Sequence, residues 1–125
     1  LARLLRLDEL TAVRVPSTRE EGARDLVRAR EDARSDLMRA RHRLSKLLLR
    51  QGLVREAGAW TQAHGRWLAS QHFQERGLQI AYEEAEAAMM SVRARRDALD
   101  AAIAEVAAEV RGRLVRVIAA LETEG

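Results

Sequence analysis

Residues 17–52, STREEGARDLVRAREDARSDLMRARHRLSKLLLRQG, decide the fold. Ser17-Thr18-Arg19-Glu20 is a capping box, in which the serine oxygen takes an orphan amide and the glutamate reaches back. Behind it runs a 3-4 repeat at Ala23, Leu26, Arg30, Ala33, Leu37, Ala40, Leu44 and Leu47. Seven of these eight positions are apolar. Gly52 is a natural C-terminal stop. Residues 18–51 therefore predict a helix about 50 Å long at ~1.5 Å per residue. One narrow apolar seam on so long a helix requires a partner.

That partner lies downstream. Leu78, Tyr82, Ala85, Met89, Val92, Arg96, Leu99, Ile103, Val106 and Val110 form a second 3-4 repeat. Two such segments in one chain predict an antiparallel, coiled-coil-like helical hairpin. Its structural seam is Leu26, Leu37, Leu44 and Leu47 against Met89, Val92, Leu99 and Ile103. Arg30 and Arg96 interrupt the seams, either to specify register or to reach a ligand. The 26 residues from 52 to 77 are too many for a simple turn. Within them Trp60, His64, Trp67 and Leu68 share one helical face, which predicts a short helix at the hairpin tip. Past Val110 the seam weakens, Gly112 is expected to interrupt the helix, and LETEG to fray.

Composition agrees with helices. The 125 residues include 23 alanines and only four aromatics, Trp60, Trp67, Phe73 and Tyr82. There is no cysteine, which excludes disulfides and thiolate metal sites. No apolar run approaches the ~20 residues of a membrane span, and residues 1–16 do not have the basic-apolar-small pattern expected of a signal peptide. Residues 1–16 read differently. Leu1, Leu4, Leu5 and Leu7 have helical spacing, and Thr11 to Val15 alternate like a short strand before Pro16. A lone strand needs a sheet, so this part is expected to be the remnant of an α/β domain. Residue 1 is Leu rather than Met, which predicts a piece of a longer chain. The expected organisation is 1–16 as that remnant, 17–110 as the helical hairpin and 111–125 as a divergent or truncated tail. The fold class is all-α apart from the remnant.

Charge is unevenly spread. The net charge is +3, yet residues 1–62 carry 14 basic against 9 acidic groups and residues 63–125 carry 8 against 10. Residues 34–50 hold Arg34, Arg39, Arg41, Arg43, Lys46 and Arg50 against Asp36 alone. These six are the candidate nucleic-acid-binding residues, since such a local excess attracts phosphate backbones. Arg39, Arg43, Lys46 and Arg50 fall at i, i+4, i+7 and i+11 on one face, and arginine forks suit phosphate. The competing reading is neutralisation by Glu83, Glu84 or Glu86 of the second helix.

No catalytic or metal constellation is legible. Asp97 and Asp100 are i, i+3, but Arg93 and Arg96 precede them by four residues each, which predicts intrahelical ion pairs. His42, His64 and His72 lack ligand spacing. His64, between two tryptophans, is expected to be packed. The serines lack a nucleophile context, and Ser17 is a cap.

STREEGARDLVRAREDARSDLMRARHRLSKLLLRQGL resembles the middle of the RuvC-like DEDD transposases of the insertion sequence 110 family, described as RNA-guided recombinases. AWTQAHGRWLASQHF and RARRDALDAAI resemble the same family, and LARLLRLDELTAVRVPS resembles the end of its RuvC-like domain. The resemblance covers about residues 1–105, while VRGRLVRVIAALETEG fits poorly. It implies a coiled-coil arm between a RuvC-like domain and a C-terminal serine domain, with no catalytic role for any residue here. The family's four metal-binding acids precede the LARLLR segment, so Mg2+ is implied for the parent protein only. The resemblance further implies structured guide RNA and DNA as partners, a homo-oligomer, no small-molecule substrate and a bacterial cytoplasmic location. The alternative is a stand-alone helical dimerisation or nucleic-acid-binding module.

Overall fold

The computed structural model describes residues 17–55 and 58–124. The expected strand before Pro16, and the whole of 1–16, lie outside them. The described residues form three helices and no strand: α1 (Thr18–Arg50), α2 (Gln62–Ser70) and α3 (Arg76–Glu124). The fold is thus the all-α hairpin with a short helix at its tip. Contacts divide the described residues into one unit of residues 31–98 and another that combines residues 17–30 with 99–124.

α1 begins and ends where its caps dictate. The Ser17 Oγ accepts the Glu20 N–H at 3.2 Å, and the Ser17 carbonyl accepts the Glu21 N–H at 3.0 Å. At the other end Gly52 sits at φ +75°. The Leu53 N–H reaches the Leu48 carbonyl at 3.0 Å and the Gly52 N–H the Leu49 carbonyl at 2.9 Å. This pair of bonds is a Schellman motif, which only a residue tolerant of the left-handed region closes cheaply.

In the unit of residues 31–98 the seam is the core. Leu37, Ala40, Leu44, Leu47 and Leu48 of α1 are buried in one cluster with Leu68 of α2 and Tyr82 and Met89 of α3. Leu44 is wholly inaccessible and Leu37 nearly so. Val92 packs at the cluster's edge, half-buried. Alanines at Ala33 and Ala40 are also buried, so parts of the seam are lined by single methyl groups. The tip is fastened by Tyr82, whose hydroxyl donates to the Leu68 carbonyl, and by Phe73, edge-on to the Tyr82 ring at 5.2 Å.

In the other unit Leu26, Leu99 and Ile103 are half-buried. Arg30, the seam's polar interruption, donates from Nε to the Asp100 carboxylate at 2.8 Å. Asp100 therefore pairs across the hairpin, not with Arg96 of its own helix as the i, i+4 rule predicts. Arg96 instead turns to its neighbour Asp97 at 2.9 Å.

α3 does not stop at Gly112. It continues to Glu124. A glycine inside a helix costs only about 1 kcal/mol relative to alanine. Good helix formers on both sides, among them Arg111, Arg113 and Leu114, offset that loss. Val110, Leu114, Val115, Val117, Ile118 and Leu121 on this stretch are exposed. Among the described residues no helix is long and apolar enough to cross a membrane.

Candidate nucleic-acid interface

The six basic candidates sort into two groups on α1. Arg39, Arg43, Lys46 and Arg50 are exposed and form one row. Arg34 and Arg41, seven residues apart, lie on the other flank of the exposed face at ~100° per residue. Arg34 pairs with Glu31 at 3.1 Å and Arg39 with Asp36, both within the helix. Among the described residues Arg43, Lys46 and Arg50 have no ion-pair partner. Glu83 accepts from Gln79 at 2.9 Å, and none of Glu83, Glu84 and Glu86 pairs with the row. Neutralisation from α3 is thus not formed by direct ion pairs.

Between the two flanks lie two adjoining depressions. One, of about 450 Å³, is lined by Met38, Arg41, His42, Ser45, Lys46 and Trp60. The next, of about 460 Å³, is lined by Ser35, Met38, Arg39, His42, Arg43 and Lys46. No carboxylate lines either one. At Arg43 and Lys46 such a surface accepts anions without having to displace an internal acid.

Trp60 closes the first depression from the loop. The sequence pattern places Trp60 inside the tip helix, but α2 starts at Gln62 because Thr61 takes the cap. The Thr61 Oγ1 accepts the His64 N–H at 3.2 Å. Trp60 stands outside at φ +64°, the left-handed region that bulky residues rarely enter. Its N–H donates to Nδ1 of His64 at 2.6 Å, which secures this backbone. His64 is buried and flanked by both indoles, 4.6 Å from Trp60 and 5.8 Å from Trp67. Accepting at Nδ1 makes it the neutral tautomer protonated at Nε2. Burial, then the charges of Arg55 and Arg41, hold its pKa below the ordinary value of 6.5. The packed, satisfied histidine expected from the pattern is what the structure shows.

Arg41 joins the basic surface to the tip. Its guanidinium lies over the Trp60 ring, 5.0 Å from the centroid. Burial, then Arg96 and Arg93, hold its pKa below the ordinary value, while Asp97 acts the other way. Its Nε is buried without a hydrogen-bond partner. The ring contact joins residues 19 positions apart in the chain, which no helical spacing reveals.

Among the described residues no group of three or more His, Cys, Asp or Glu side chains is placed to hold a metal ion. Asp97 and Asp100 are each turned to an arginine. The described residues do not fit a magnesium site.

The comparisons with known proteins bear on this surface. The chain is 41% identical over 85 residues to a curated protein of Sinorhizobium fredii named "Putative transposase y4qE". The match takes in 67% of this chain and 22% of that protein, so the chain spans about a fifth of its relative's length. No known family's sequence profile matches the chain, and no solved structure matches it.

Proposed function

We propose that the chain acts as the helical arm of a bacterial transposase, contacting nucleic acid along α1 and bringing no active site of its own. The observation that carries this reading is the row Arg43, Lys46 and Arg50, unpaired among the described residues and bordered by a surface without carboxylates. The similarity to a transposase over 85 residues supports the context. The finer assignment, to the RNA-guided recombinases of the insertion sequence 110 family, rests on the sequence resemblance. It makes structured RNA and DNA the partners, places Mg2+ in another part of the parent protein and puts the protein in the bacterial cytoplasm.

Binding to structured RNA and to duplex DNA, measured across salt, tests this. Affinity should fall steeply with salt, because cations on the row release the counterions of phosphates. Reversing two charges, Arg43→Glu with Arg50→Glu, should weaken binding at low salt by tenfold or more. Affinity unchanged by that pair of substitutions removes the proposal. Subunit association is the second role of such an arm. Exposed Val110, Leu114, Val117 and Leu121, spaced 4-3-4 on α3, favour it. A strict monomer in light scattering at high concentration would exclude that role.

A further inference from the structure

The α1 surface offers more than positive charge. Phosphate attraction uses Arg43, Lys46 and Arg50 but has no need of an indole beside the row. Yet Trp60 is held there in an uncommon backbone conformation by its bond to His64. Backbone of this kind persists where the surroundings over-determine it, and it clusters at binding sites. The Trp60 ring and the Arg41 guanidinium are two planar groups already in contact. Unpaired bases stack on aromatic rings and on arginine planes, whereas the bases of a duplex have no free face to offer. The depression beside the pair is lined by Met38, His42, Ser45 and Lys46 together with Arg41 and Trp60, with no carboxylate among them. Lys46 and His42 line both this depression and the next, so donors continue from the ring toward Arg43.

Resting on the reading of α1 as a nucleic-acid interface, we propose that the outer plane of the Arg41 guanidinium, backed by the Trp60 ring, is a stacking site for one unpaired nucleobase. The phosphates flanking that base lie on Lys46 and Arg43. The arm then selects single-stranded or looped segments over continuous duplex. Both RNA and DNA carry the required chemistry, a planar base between two phosphates.

The test uses the 125-residue chain carrying Trp67→Phe, so that Trp60 alone reports by fluorescence. The probes are single-stranded RNA and DNA of about eight nucleotides, the same DNA made abasic at every position, and a DNA duplex. Both base-bearing strands should quench Trp60, and the abasic strand should bind roughly tenfold more weakly. The stronger of the RNA and DNA arms identifies the source of the base. Arg41→Lys keeps the charge and removes the plane, so it should shrink the base-bearing advantage while melting stays cooperative. Equal binding of abasic and base-bearing strands, preference for the duplex, or an advantage untouched by Arg41→Lys overturns the stacking site. The broader interface survives those results. It falls only if Arg43→Glu with Arg50→Glu leaves every probe bound as before.

Discussion

The hydroxyl of Tyr82, buried in the hairpin core, donates its hydrogen bond to the backbone carbonyl of Leu68, so α3 holds the last turn of α2 by its own main chain. Burial, then the adjacent Glu86, pushes the phenol above its ordinary pKa and keeps it a donor. The same carbonyl also receives the Gln71 N–H at 3.3 Å. Tyr82→Phe should therefore cost only about 1 kcal/mol, because the acceptor retains one partner. Urea unfolding followed by circular dichroism measures it.

Truncating a buried leucine in the seam should cost more. Leu44 is fully buried among Leu37, Tyr82 and Met89. Leu44→Ala should lower stability by about 2–5 kcal/mol, a large part of what so small a core supplies. Leu44→Asp places an unpaired charge in the seam and should abolish the cooperative transition. Unchanged helicity and melting in either variant would refute the seam.

Two glycines should respond with opposite signs. Gly52 has φ +75° with open space around its Cα, so Gly52→Ala meets only conformational strain. That strain should cost about 1 kcal/mol. Gly112 lies inside α3, also with nothing nearby. Gly112→Ala should add up to about 1 kcal/mol of helix stability. Thermal melts of the two variants, run in parallel, check both.

His64 links stability to pH. Its folded pKa is depressed, so the unfolded chain takes up a proton that the folded chain refuses. Stability is then complete above the unfolded value of 6.5 and is lost as the pH falls below it. Protonation at Nδ1 also removes the acceptor of the Trp60 N–H. The melting temperature should drop on acidification from pH 7 to pH 5, and His64→Gln should flatten that dependence. A slope that survives the substitution would place its origin elsewhere.

Much of the hairpin was legible because its seam is periodic. Leu37, Leu44, Leu47, Tyr82 and Met89 all lie where a 3-4 repeat sends them. The caps at Ser17 and Gly52 were legible because each uses a residue with a distinctive local chemistry. The spacing rule pairs Asp100 with Arg96 because it sees only one helix, whereas Arg30 stands across the hairpin. The helical spacing of Trp60 with His64 puts it inside α2, one element later than the loop it occupies. Nothing in its side chain announces left-handed backbone, which depends on the Thr61 cap and on a ring nitrogen of His64. Leu48 escaped the narrow repeat because at the tip the covered face widens to include α2. Of the six basic candidates, the row was visible in the spacing, whereas the contact of Arg41 with Trp60 needed the loop's path.

The positions of the two polar fasteners in the chain also order events in time. Tyr82 and Leu68 are 14 residues apart, and Arg30 and Asp100 are 70 apart. Closing the longer loop first from an open chain costs about 1.4 kcal/mol more, or roughly tenfold in probability. Once the tip is joined, the remaining pairs meet with little further loop to close. The refolding chain should therefore nucleate around the tip and zip toward Arg30 and Asp100, so that substitutions at Leu68 or Tyr82 slow folding while loss of the Arg30–Asp100 pair mainly speeds unfolding.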